Sequence, residues 1–341
     1  MARARFIKAL LCASGVQLGS ETLAFAEQNQ IETVVVSVEN DFFTGSDDNY
    51  TNGVSVTWAS DELDAYAADD FPRKWARYWD FLPGFDANSD ASHIGFSLIH
   101  EMNTPSDITL VDPPLDDQPY SGVLLLGGSF YSNHGSWANA WDIRVGAVGP
   151  VTQADELQTF YHDLIGADEP LGWDTQIPNE VILNIGYTVG FPVFEDQDEA
   201  SKNWRATAIG NGEVGNYLTG VGIGALFEYG NDLPDTLATS SLGQGLGSAV
   251  GVGSEPQDRI NWSLYAGVGG YGTAHYLPLD GTVFRDSRSV PSEPYLLTAS
   301  LGLTVRYKKL IASFGISRGA TPFEDGDEDI DYGALSVGWH F

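Results

Sequence analysis

The chain closes on a strict two-residue alternation, and that pattern limits its fold more than any other feature. Gly333, Leu335, Val337, Trp339 and Phe341 fall on one face, and Ala334, Ser336, Gly338 and His340 on the other. Period two is the repeat of a β-strand. The same alternation runs from Leu297 to Arg306, and Lys308-Lys309 marks a tight turn into a strand over Leu310–Arg318. Further strands are expected over 33–41, 51–60, 92–102, 121–132, 136–148, 180–193, 204–211, 217–229 and 260–275, about twelve in all.

Alternating strands of about ten residues suit a soluble sandwich, a propeller or a transmembrane barrel. A sandwich exposes Lys, Glu, Thr and Arg on its wet face. Here the second face is mostly Gly, Ser, Thr, Asn and Ala, while aromatics gather near strand ends, as in a barrel whose outer face meets lipid. No repeat of fixed length supports a propeller. Composition agrees: 39 Gly, 17 Phe, 15 Tyr and 9 Trp among 341 residues suit strands and turns. The fold expected is therefore an all-β, antiparallel transmembrane barrel with an even strand number. Its terminal Phe341 resembles the assembly signal of outer-membrane barrels.

Residues 1–26 read as a secretory signal, with Arg3, Arg5 and Lys8, an apolar stretch to Val16, and Ala24-Phe25-Ala26 as the cleavage site. Residues 27–341 would form the barrel. The one cysteine, Cys12, lies in the signal, so disulfides and cysteine-held zinc are excluded. Sixteen Lys and Arg against 47 Asp and Glu exclude nucleic acid as a partner, because phosphate binding needs a basic face. With both ends periplasmic, 42–50, 103–120, 149–179, 276–293 and 319–330 face outward. Two long segments, 61–91 and 230–259, fall on the periplasmic side and fit badly there: either they form small plugs or covers, or the strand count is off at these places.

Only one stretch reads as a helix. Leu157, Phe160, Tyr161 and Leu164 make an apolar stripe over 153–164, with Thr152 as the expected cap, Asp155 and Glu156 in the first turn and Gly166 past the end. Gln158 and His162, at i and i+4, share a face, and a histidine there is either a general base or an ordinary surface residue. Asn40 and Asp41 end the first strand, and antiparallel pairing brings them near Thr51. Their oxygens suit a hard cation such as Ca²⁺, or simply a turn. Gly315-Ile316-Ser317-Arg318-Gly319 fits a serine-hydrolase pattern but sits on a strand rather than at a strand–helix elbow. The alternating Asp325, Asp327, Asp329 and Asp331 lack the glycine and closing glutamate of a calcium loop.

In this order, three blocks resemble the outer-membrane lipid A 3′-O-deacylase family. They are Asn40-Asp41, Tyr50-Thr51-Asn52-Gly53, and Gln158 to His162 continuing through Ile165-Gly166-Ala167 to Trp173 and Gln176. The resemblance implies a twelve-stranded barrel in the Gram-negative outer membrane. It would be a Ca²⁺-dependent carboxylic ester hydrolase, a monomer, taking an ester-linked (acyloxy)acyl chain from lipid A of lipopolysaccharide. It implies His162 as general base, Asn40 and Asp41 as metal or water holders, Thr51 as their support, and Gln158 as the group that orients the site. One departure stands out: positions 102–143 carry no Lys or Arg, and loop 103–120 bears Asp107, Asp112, Asp116 and Asp117 instead. The competing functions are a non-enzymatic porin or structural barrel and an outer-membrane phospholipase; the second lacks an identifiable serine.

Overall fold

A computed structural model describes residues 31–44, 50–60, 62–63, 78, 81–82, 91–196, 202–231, 233–234, 257–320, 322–323 and 330–341. The expected signal segment, most of 61–91 and 230–259, and the acidic run at 325–329 lie outside these residues.

Twelve strands close into one antiparallel barrel in which each strand pairs with its chain neighbours and β1 pairs with β12. They are β1 (Ile31–Asn40), β2 (Tyr50–Ser60), β3 (Ala91–Asn103), β4 (Ser121–Asn133), β5 (Ala138–Val148) and β6 (Glu180–Glu195). The circuit continues with β7 (Trp204–Gly215), β8 (Leu218–Gly230), β9 (Gln257–Tyr276), β10 (Tyr295–Lys308), β11 (Leu310–Gly319) and β12 (Ile330–His340). Closure pairs every ladder and leaves no free edge, which is what a strand protein needs in hydrocarbon. Gly315–Gly319 is a plain part of β11, with no elbow.

The two faces differ in chemistry. Leu126, Val181, Ile223, Val268, Leu297 and Leu301 stand exposed on the outside. The lumen carries the polar set: Ser37 and Ser336 share a hydroxyl bond of 2.8 Å, Thr304 and Ser313 one of 3.0 Å. Arg144 meets Glu213 at 2.9 Å and Arg205 meets Glu228 at 2.7 Å. Neither pair could be buried singly, since an unpaired charge out of water costs several kcal/mol, on the order of a whole domain's stability.

At the rim opposite the termini, Ile99, Val123, Leu125, Ile182 and Leu296 point inward and pack with Ile177, Leu277, Leu279 and Val290 from the connecting loops. Across this plug the Tyr217 hydroxyl donates to Glu101 at 2.7 Å, joining the β7–β8 turn to β3. Side chains fill the mouth where a porin carries water, which counts against the porin reading.

Candidate active site

The first site element is the end of β1. Val34 and Val36 pair with Trp339 and Val337, both exposed to the outside. Asn40 shares their parity, so it lies on the outer wall, while Glu39 faces the lumen. The chain then leaves the ladder: Asp41–Phe43 form a 3-10 turn. That turn folds back over β12, with Phe43 against Gly333 and edge-on to Phe314 at 5.8 Å. A side chain at 333 could not coexist with Phe43, because its Cβ would fall 2.4 Å from that of Phe43. The expected strand end at 41 is thus one residue too long. Asn40 is 7% exposed and Asp41 1%. The Asp41 carbonyl accepts from the Thr44 amide at 2.9 Å and closes the turn. Register Glu39↔Gly53 sets Asn40 and Asp41 beside residues 51–52 of β2; the Thr51 side chain lies outside the described residues.

The second element is α1, Ala154–Ile165. It is approached by a 3-10 turn, Pro150–Thr152, in which the Thr152 hydroxyl donates to the Gly149 carbonyl at 2.8 Å. Thr152 is therefore not the helix cap. Gln153 takes that place, left-handed at φ 55° and without a side-chain bond. A residue with a Cβ pays roughly 1–2 kcal/mol in that conformation. The other end is as the sequence predicts: Gly166, φ 74°, donates its amide to the His162 carbonyl.

The helix lies on the outside of the barrel, packed on β4 and β3. Its start rests on Gly122, where an added Cβ would sit 2.3 Å from that of Ala154. Met102, Tyr120, Ala154 and Trp173 form a small core there, with Leu157 against it. Burial pushes the Tyr120 phenol up to about 12, so it stays a neutral donor to the Ile108 carbonyl at 3.1 Å.

The face that α1 turns to the wall is its polar one. Gln158 is 1% exposed and His162 8%, whereas Phe160 of the apolar stripe is 61% exposed. The polar pair is buried and part of the stripe is not. Trp173 Nε1 donates to Gln158 Oε1 at 2.7 Å, while Gln158 Nε2 is buried with no acceptor among the described residues. His162 Nδ1 meets the Asp168 carbonyl at 2.5 Å. A carbonyl can only accept, so this bond places the proton on Nδ1 and leaves the Nε2 lone pair open.

Two contributors escaped the sequence reading. Asp168 acts through its backbone, which no motif reveals. His100 occupies an outward position of β3 and its Nε2 bonds the Thr152 carbonyl at 3.1 Å, tying β3 to the start of α1. A histidine at lipid-facing parity was the available signal. The acidic loop also finds a cation: Arg288, from the segment after β9, ion-pairs with Asp112 and donates to the Pro113 carbonyl. Asp107 and Asp117 serve the loop itself, accepting from Thr109 and Ser106. Among the described residues no group of three or more His, Cys, Asp and Glu gathers as a metal site.

Comparison with known proteins agrees with this architecture. No functionally curated protein matches the sequence. Among solved structures, LpxR from Salmonella typhimurium superposes with a TM-score of 0.73 at 20% identity, covering 91% of this chain and 100% of that one. The β domain of the Bordetella autotransporter BrkA reaches a TM-score of only 0.42 at 10% identity, over 92% and 99%. The family profile described as "Outer membrane protein LpxR" matches residues 9–341, and the chain, a closed twelve-stranded barrel of the outer membrane, belongs to that family.

Proposed function

We propose that the chain is a Ca²⁺-dependent ester hydrolase of the outer leaflet that removes an ester-linked (acyloxy)acyl chain from lipid A, working as a monomer. Family membership supports a lipid A deacylase of the outer membrane. The observation that carries the chemistry is the bond from His162 Nδ1 to the Asp168 carbonyl, beside Gln158 on a helix laid against the lipid-facing wall. One chain closes the barrel and supplies every candidate residue, so one copy suffices.

Spacing supports bringing the two elements together. Strand neighbours stand about 4.8 Å apart, so β1 and β4 are separated by roughly 14 Å. The helix, about 12 Å from Ala154 to His162, packs on β4 and on β3, the neighbour on the β1 side. Asn40, Met102 and Gly122 share one outward band around the wall, since Glu39 pairs with Gly53, the adjacent residue Asn52 pairs with Met102, and Met102 pairs with Gly122.

His162 Nε2 accepts the proton of a water as its oxygen attacks the ester carbonyl. Gln158 Nε2, its partner oxygen fixed by Trp173, is a preorganised donor for the developing negative charge. The imidazolium then returns the proton to the departing alkoxide, giving a sugar hydroxyl and a fatty acid. The Asn40 and Asp41 oxygens form a hard donor set that fits Ca²⁺ rather than Zn²⁺; backbone oxygens and water would fill its six to eight positions. A bound Ca²⁺ would supply Lewis-acid stabilisation of the oxyanion.

The test is mass spectrometry of lipid A from cells expressing the protein or its His162→Asn variant. Loss of a positioned base costs about 10²–10⁴-fold in rate. His134→Asn is the control, because His134 stacks on Trp137 at 4.0 Å in the β4–β5 turn at the opposite rim. Deacylation by His162→Asn at the wild-type rate would refute the mechanism.

A further inference from the structure

Around α1, side chains sort into three arcs at 100° per residue. Ala154, Gln158 and His162 face the wall and are buried. Glu156 and Asp163 are exposed and Asp155 half-buried, giving an acidic flank. Leu157, Phe160 and Tyr161 make an apolar flank on the other side, ending in Phe160 at 61% exposure. A helix bathed in water has no reason to bury Gln158 and His162 while it presents a phenylalanine. The wall under α1 supplies the reason. Leu98, Leu124, Leu126 and Val145 stand exposed on β3, β4 and β5 at the same outward face that Met102 and Gly122 present to the helix. Hydrocarbon covers that belt, so a phenylalanine left exposed on a helix packed on the same strands has an apolar medium at hand.

We infer that α1 is an interfacial helix lying in the outer leaflet, with Phe160 inserted among the acyl chains of the bilayer and the acidic flank turned to water. Two chemically distinct flanks on either side of a wall-facing arc are what a helix parallel to a membrane plane needs, with its apolar side about 5–10 Å into the headgroup–acyl boundary. The acidic flank faces outward because its carboxylates cannot follow Phe160 into hydrocarbon. The inference goes beyond the proposed hydrolysis and stands or falls without it, since bilayer lipid and not substrate is the partner.

The experiment uses Cys12→Ser protein carrying Phe160→Cys or Asp155→Cys, labelled with bimane and reconstituted in phosphatidylcholine vesicles free of lipopolysaccharide. Heat-modifiable migration confirms a folded barrel. The label at 160 should be quenched by lipids spin-labelled along the acyl chain, at a depth of about 5–10 Å, and shielded from iodide; the label at 155 should show the reverse. In parallel, the chain with native Phe160 is reconstituted with a phospholipid bearing a photoreactive acyl chain, and adducts are mapped by mass spectrometry. Adducts at Phe160 support the inference even if labelling disturbs the helix. Equal iodide access at both positions, together with no adduct on 154–165, overturns it.

Discussion

Gly122→Ala is the sharpest probe of how α1 is seated. The added methyl would meet Ala154 Cβ at 2.3 Å and Thr152 Oγ1 at 2.4 Å. Carbon atoms rest about 3.5–4.0 Å apart, so the start of the helix must retreat by roughly 1 Å or more. Overpacking of this kind costs about 1–3 kcal/mol, small beside twelve paired strands, and the barrel should still fold. The effect on chemistry is larger, because a misplacement of about 1 Å costs on the order of 10²-fold in rate. Gly128→Ala, on the same strand and the same face, is the matched control, since a Cβ there meets nothing within 4 Å. The assay is release of fatty acid from purified lipopolysaccharide by refolded protein, with heat-modifiable migration scored in parallel. Gly122→Ala should fold and lose about two orders of magnitude, while Gly128→Ala matches wild type. Adding Ala154→Gly and Thr152→Ala, which removes both collisions, should restore part of the rate. A Gly122→Ala barrel as active as the control would show that the seat of α1 does not position the reaction.

Three further outcomes are expected. Chelation should abolish hydrolysis, with Ca²⁺ restoring it and Zn²⁺ doing so poorly; Asp41→Ala should raise the calcium requirement while the barrel folds, and full turnover in excess chelator would remove the metal from the mechanism. Trp173→Phe leaves the buried Gln158 oxygen without its donor, at a local cost of about 1–3 kcal/mol, and should lower the rate without changing the temperature of barrel unfolding; an unchanged rate would leave Gln158 no role in orientation. Arg144→Met strands Glu213 in the lumen and should destabilise the barrel by about 3–5 kcal/mol, much of it recovered in Arg144→Met/Glu213→Gln, as read from the heat-modifiable transition.

The twelve strands, their order and the tight turn at Lys308-Lys309 were legible in the sequence because period two repeats over each strand and the pattern breaks at Gly, Asn and Asp. The strand boundaries at 211 and 260 fell short of the observed Gly215 and Gln257: Gly212 and Gly215 interrupt the pattern at the first, and Gln257-Asp258-Arg259 is polar throughout at the second. The existence of α1 and its Gly166 stop were legible too. Its cap was not: Thr152 has the right chemistry, but its hydroxyl is engaged with Gly149 in the preceding turn.

Residue types and spacing by themselves determined a barrel, its polar lumen, one loop helix and a short set of residues fit for base and oxygen-ligand chemistry. Only the tertiary structure decided which face of the helix meets protein. In water an apolar stripe turns to the core, yet the stripe's Phe160 stands exposed here. Beside a lipid-facing wall the surroundings are themselves apolar, so periodicity gives the amphipathic pattern but not its phase, and the contacts with Gly122, Trp173 and Asp168 turn Gln158 and His162 inward instead.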